Sequence, residues 1–189
     1  MNRHLLYIVG YAGSGKTSLL EGALQGAGYT IARDLFQRRI YAGGVMLGGD
    51  RLVHRLNIPG EALFSGTDAL QRNAQPKVIK WLQQTDVEYV VGEGDRLGNR
   101  NFFEAAAMAG WEVDVRVLRV DLKTCYERMV ARGYVLNGLR YKIAVSKVNN
   151  VMGLSFVKGY YDGNLPLGGL INQLRQHPVI QAIRGGQGK

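Results

Sequence analysis

The chain has 189 residues, 46% of them hydrophobic, a length and composition that suit one folded domain and exclude a disordered polymer. No apolar run approaches the roughly 20 residues of a membrane span, and Cys125 is the only cysteine, which excludes an internal disulfide and reads as a core filler in a cytoplasmic protein. The net charge of +9 is high for a protein that handles only small metabolites and points to a polyanionic partner as well as to a basic phosphate-binding lid.

In chain order, residues 4–9, "HLLYIV", read as a buried first strand rather than as a secretory signal, because they lead into glycine and a polar loop. Leu19, Leu20, Ala23, Leu24 and Ala27 recur at helical spacing, with Gly28 as the stop. "YTIAR" is a short second strand, followed by Asp34. Residues 40–49, "IYAGGVMLGG", hold too many glycines for a helix and suggest an extended excursion, and "LNIPGEALFSGTDAL" reads as loop. Leu70, Ala74, Val78 and Leu82 have helical period, but Pro76 predicts a kink there or a helix that begins at Pro76.

"VEYVV" (87–91) is the next buried strand and runs into "GEGDR". A helix over Phe102, Phe103, Ala106 and Ala107 stops at Gly110, and "WEVDVRVLRV" alternates as a strand. Leu122, Cys125, Tyr126, Met129 and Val130 form a helical stripe that "RGYVLNGLRYK" interrupts. Further helices pass through Ile143, Val148 and Val151 and through Leu170, Leu174 and His177, and 185–189 form a disordered tail. Strands alternating with helices imply one α/β domain over 1–184 with a parallel sheet covered on both faces.

Gly10-Tyr-Ala-Gly-Ser-Gly15-Lys16-Thr17 fits G-x-x-x-x-G-K-[ST] in full, after a strand and before a helix. In such a loop, successive backbone N–H groups from Gly10, Ala12, Gly13, Ser14, Gly15 and on to Ser18 wrap phosphates, helped by the helix dipole. Lys16 reaches the β- and γ-phosphates, and Thr17 is a magnesium ligand. These residues call for a nucleoside triphosphate, ATP or GTP, with Mg²⁺, and leave the acceptor open.

Candidates for the acceptor side lie elsewhere. Glu93 and Asp95 follow a buried strand and could hold the Mg²⁺ shell, with Asp95 paired to Thr17, or could meet an acceptor hydroxyl; Arg96 could neutralise a phosphate. Thr67 reads as a helix N-cap and Asp68 as a first-turn acid or as the group that takes a proton from the acceptor, a role for which Asp34 competes. Lys123, Arg128, Arg132, Arg140, Lys142, Lys147 and Lys158 stand against the single acid Glu127, and arginines here would form a lid over about 128–142. His4, His54 and His177 are too scattered for a metal site.

"VGYAGSGKT", "LGGDR", "FSGTDALQRNAQPKVIKWL", "GEGDRLGNRNFF" and "RMVARGYVLNGLRYKIAVSKVNN" together resemble the small P-loop kinases encoded by tailed bacteriophages, and most the 5-hydroxymethyluracil DNA kinases. The resemblance spans about residues 5 to 150. It implies a P-loop kinase-like three-layer sandwich with a central parallel sheet and a basic helical lid. It also implies ATP with Mg²⁺ as cofactors, DNA carrying a modified pyrimidine as partner, and the cytoplasm of an infected host as location. By position it places Gly10 to Thr17 on ATP and magnesium, Glu93, Asp95 and Arg96 at the reaction centre, Thr67 and Asp68 near the acceptor, and Arg128, Arg132 and Arg140 in the lid. The chain departs from the pattern at "LNGLRYK", where a tryptophan is expected after the Arg-Gly pair. The other readings are a kinase of free nucleosides or nucleotides and a nucleotide-hydrolysing switch.

Overall fold

The computed structural model describes residues 2–32, 36, 38–49, 66–134 and 138–186. A seven-stranded sheet has the order β2-β3-β4-β5-β1-β6-β7. Its strands are β1 (Arg3–Val9), β2 (Tyr29–Ala32), β3 (Arg38–Tyr41), β4 (Gly44–Leu47), β5 (Tyr89–Glu93), β6 (Trp111–Arg119) and β7 (Val157–Asp162). β4, β5, β1, β6 and β7 run parallel, as expected. The other edge departs from an all-parallel sheet, because β2, β3 and β4 form an antiparallel meander.

The helices are α1 (Lys16–Leu24), α2 (Ala74–Gln84), α3 (Arg100–Met108), α4 (Leu122–Ala131), α5 (Gly138–Met152), α6 (Leu167–Arg175) and α7 (Pro178–Gly185). β1 is buried on both sides: Leu5, Tyr7 and Val9 join a core with α2 and α3, while Leu6 and Ile8 join one with α1, α6 and α7. That two-sided burial is why the strand reads as a continuous apolar run.

Several expectations change. The glycine-rich 40–49 stretch is two strands, β3 and β4. Its glycines are required by packing, since a Cβ on Gly43 would enter the Ala182 carbonyl and one on Gly44 the Tyr89 carbonyl. Pro76 neither kinks nor starts α2; it is the third residue, within the first turn, where backbone N–H groups have no intrahelical acceptor to lose. α1 ends at Leu24, short of Ala27. The predicted helix through His177 is two helices, because His177 Nδ1 accepts from Val179 N at 3.3 Å and Pro178 opens α7. β7 was not expected: it is a half-exposed edge strand without a strong apolar pattern. The predicted tail begins at Gly185, which closes α7; residues 187–189 lie outside the described ones.

Phe103 is fully buried and meets Tyr7 edge-on at 5.3 Å, with Phe102 and Phe156 beside it. Phe103→Ala should lower the urea midpoint by about 3–5 kcal/mol of stability at unchanged denaturant slope.

Candidate active site

β1 delivers the chain into the Gly10–Thr17 loop and α1 carries it away. Gly13 (φ 85°) and Gly15 (φ 94°) take left-handed conformations that other residues avoid. A Cβ on Gly13 would also enter the Cys125 carbonyl of α4, so the loop is seated against that helix. Lys16 is buried and its Nζ donates to Gly10 O (2.9 Å) and Tyr11 O (3.1 Å). Ala12 sits partly buried in the turn. Ser14 Oγ is buried without a hydrogen-bond partner among the described residues.

β5 lies beside β1 with Ile8 opposite Glu93, so the strand's acid ends next to the loop. Glu93 is 2% exposed, and Thr17 Oγ1 donates to its Oε1 at 2.8 Å. Of the two acids expected near the Mg²⁺ shell, Glu93 takes the contact with Thr17, and Asp95 lies two residues further along the chain. Gly66 is packed on the Glu93 carboxylate so closely that no Cβ fits.

Thr67 is fully buried and opens a 3₁₀ turn over Thr67–Ala69. It is not the N-cap expected; Gly66 holds that position. Its hydroxyl donates to Glu93 O (2.8 Å) and lies 2.6 Å from Tyr7 Oη, which also reaches Gly94 O (2.9 Å). Thr67 therefore fixes the strand end and is not open to a substrate. Tyr7 was not foreseen as part of the site, since within β1 it reads as another apolar position.

Asp68 is exposed. Its Oδ1 accepts from Asp95 N (2.6 Å) and Arg96 N (3.3 Å), so the 3₁₀ turn and the 94–96 turn clamp each other. Gly94 (φ 108°) makes that approach possible. Asp34 lies outside the described residues, as does the side chain of Arg140.

Three carboxylates, Asp68, Glu93 and Asp95, thus gather where the 3₁₀ turn meets the end of β5. Burial, with the nearby Asp68 charge, pushes Glu93 up to about 7, although Lys16 and the Thr17 hydrogen bond oppose it. Burial and Asp68 likewise push Asp95 up to about 6 against Lys16, Lys147 and Arg96. Burial holds the Tyr7 hydroxyl well above its ordinary range.

A triphosphate with magnesium fits this donor set. The unpartnered Ser14 hydroxyl, Lys16 held only by loop carbonyls, and the N-terminus of α1 suit phosphate oxygens. Thr17 Oγ1 and Glu93 are hard oxygen donors. Among the described residues no group of three or more His, Cys, Asp or Glu could hold a metal alone, as expected where phosphates supply much of the shell. Beside the loop, Arg128 and Arg132 line a cavity of about 190 Å³ with Ser18, Gly163, Leu165 and Leu167. The two arginines were anticipated; the 163–167 segment was not, because its role depends on β7.

The sequence matches the profile of the P-loop Nucleotide Kinase3 family over residues 1–132. The chain belongs to this family of P-loop kinases. No match emerges among curated proteins. A gluconokinase from Sinorhizobium meliloti 1021 is similar in structure, with a TM-score of 0.54 at 13% identity over 97% of this chain and 95% of its own. A sugar kinase from Janibacter sp. HTCC2649 gives 0.50 at 15% identity over 94% and 98%. At such identities the likeness is one of fold. In this kinase the phosphate loop and Glu93 occupy adjacent strand ends, where ligands bind in open α/β sheets.

Because the folded pKa of Glu93 is raised, the native state holds its proton more tightly than the unfolded chain between about pH 4.5 and 7. Its contribution therefore falls as pH rises through that window. Glu93→Gln should raise the Tm of the nucleotide-free protein at pH 8, and the gain should vanish at pH 5, by scanning fluorimetry at both values. Phosphoryl transfer should fall at least about 100-fold in the same variant.

Proposed function

We propose that this kinase transfers the γ-phosphoryl group of ATP to the hydroxymethyl group of 5-hydroxymethyluracil in DNA, in a phage-infected bacterial cytoplasm, as a step toward a hypermodified thymine. The observation that carries the reading is the contrast between the site and the surface. The acceptor side of the phosphate loop presents Asp68, Glu93 and Asp95, while the whole chain carries +9. Carboxylates there repel an acceptor that is itself a phosphate and suit a neutral hydroxyl. Outside the centre, the basic excess suits a polyanion that holds the hydroxyl.

Bound ATP and Mg²⁺ supply the phosphoryl group and neutralise its charge. Lys16 and the loop amides hold the β- and γ-phosphate oxygens. Asp68 is exposed, its Oδ1 is engaged by two backbone N–H groups, and among the described residues its Oδ2 makes no hydrogen bond, so Oδ2 is the oxygen to take the proton of the acceptor hydroxyl. The acceptor's hydroxymethyl oxygen would then bond to the γ-phosphorus as the bond from that phosphorus to the β,γ-bridging oxygen breaks, giving ADP and the 5-phosphomethyl base. The cavity beside Arg128 and Arg132 suits the nucleotide's base and ribose. The hydroxymethyl group replaces a methyl that faces the major groove, and extrusion of the base brings it to the loop.

A second reading, a kinase of free nucleosides or nucleotides, is favoured by the description of the matched family, which is that of nucleotide kinases.

Incubation with γ-labelled ATP and three acceptors separates these readings: DNA containing 5-hydroxymethyluracil, matched unmodified DNA, and free deoxynucleosides and deoxynucleotides. Label should enter only the modified DNA, with a steep loss between 50 and 200 mM salt. Label confined to the free compounds overturns the DNA reading, and ADP release without transfer indicates a switch. Lys16→Ala should abolish transfer in either kinase. Asp68→Asn should lower kcat by about 10²–10⁴-fold with little change in ATP affinity; full rate in Asp68→Asn removes the assigned base.

A further inference from the structure

Tyr11 is the second residue of the phosphate loop, and two of its groups face different parts of the machinery. Its carbonyl accepts from Lys16 Nζ at 3.1 Å. Its hydroxyl donates to Asn149 Oδ1 at 2.9 Å, across 138 residues of chain. Asn149 lies on α5, the helix that returns from the lid. α4 and α5 make only sparse contact with the other elements. Beneath α5, a cavity of about 370 Å³ opens between Tyr11, Arg119, Val148, Met152 and Asn164. Among the described residues the other ties of α5 are buried Val148 and Val151, partly buried Met152, a ring contact between Tyr141 and Tyr126 at 6.0 Å, and a hydrogen bond from Tyr141 Oη to Leu122 O at 3.1 Å. A helix supported this thinly takes its register from individual polar contacts.

At 100° per residue, Asn149 and Lys147 flank buried Val148 on opposite sides. Asn149 meets the phosphate loop at Tyr11. Lys147, on the other flank, is exposed. α5 therefore has one flank tied to the loop and a cation on the other.

We propose that the Tyr11 hydroxyl is a positioning group for the transfer step: by holding Asn149 it registers α5 on the phosphate loop. One of the two loop carbonyls that hold Lys16 and the loop's hydrogen bond to α5 then belong to one residue. Movement of the loop around a nucleotide is transmitted to the lid through the Tyr11 side chain. This goes beyond the proposed acceptor and rests only on the chain's being a kinase.

Tyr11→Phe removes one oxygen and keeps the ring that fills the loop. Amide hydrogen exchange over residues 143–152, measured with Mg²⁺ and a non-hydrolysable ATP analogue, should be about fivefold faster in Tyr11→Phe and in Asn149→Ala than in the unaltered protein. The analogue's Kd should stay within about twofold. kcat should fall about tenfold in each variant, and the double variant should be no worse than either single one. Unchanged exchange in Tyr11→Phe, or losses that add in the double variant, overturns the proposal. The exchange measurement needs no acceptor, so it decides the role of Tyr11 even if the DNA reading fails.

Discussion

The hydrogen bond from Thr17 to Glu93 is the contact on which the rest of the site depends. It joins the first turn of α1 to the end of β5, 76 residues away, and exists only because β1 and β5 are parallel neighbours with Ile8 opposite Glu93. A buried carboxylate at that junction is costly, as its raised pKa shows. The chain makes room for it with backbone. Gly66 leaves no space for a side chain beside the carboxylate, Gly92 leaves none beside the Tyr7 ring, and Gly94 turns the chain so that Asp68 can grip the next two amides. Thr67 and Tyr7 then lock the strand end from behind. Local stability is given up for one acidic group beside the phosphates, the pattern of a functional site.

How much of this could be read in the sequence depends on how local its cause is. The phosphate loop was legible because every requirement is met within eight residues: left-handed glycines, inward amides, one lysine, one hydroxyl. β1 was legible because two-sided burial gives it a continuous apolar run, and α3 and β6 because periodic burial is written in their residues; α4 was legible from apolar spacing alone, since Cys125 is buried while Leu122, Tyr126 and Val130 are exposed. Glu93 and Asp95 were visible as acids at a strand end, but their order of approach was not. That depends on how far β5 extends, and β5 runs on to Glu93 itself. Thr67 looked like a cap because its partners, Tyr7 and the Glu93 carbonyl, are 60 and 26 residues away.

The misread elements share that cause. The glycines of 40–49 reflect α7 and β5 pressing on the hairpin, not an absence of structure. β7 hides because an edge strand with alternating half-exposure, broken by Gly159, carries little apolar signal. The break between α6 and α7 comes from a histidine that accepts a backbone amide through Nδ1 while its Nε2 meets Asp114 at 3.1 Å. There, burial raises the Asp114 carboxyl, but hydrogen bonds from His177 and Arg116 outweigh it and hold the pKa below the ordinary range.

The charge excess is also partly structural, which refines what +9 means. Arg175 and Arg184, from α6 and α7, donate to the Gly22 and Ala23 carbonyls at the end of α1, at 2.9 and 2.7 Å. They serve orphan carbonyls that α1 has no basic residue of its own to meet. Arg3 donates to Leu82 O while lying over the Trp111 ring, and Arg116 is held by Asp114. These cations are engaged in holding elements of the fold together and are less available to an external anion. Exposed cations such as Lys123, Arg128, Arg132, Lys142 and Lys147 are different: they crowd onto α4 and α5, the two helices with the least packing. Charge and sparse packing therefore coincide on α4 and α5, while Arg175 and Arg184 fasten the far end of α1, the helix that carries the chain away from the phosphate loop.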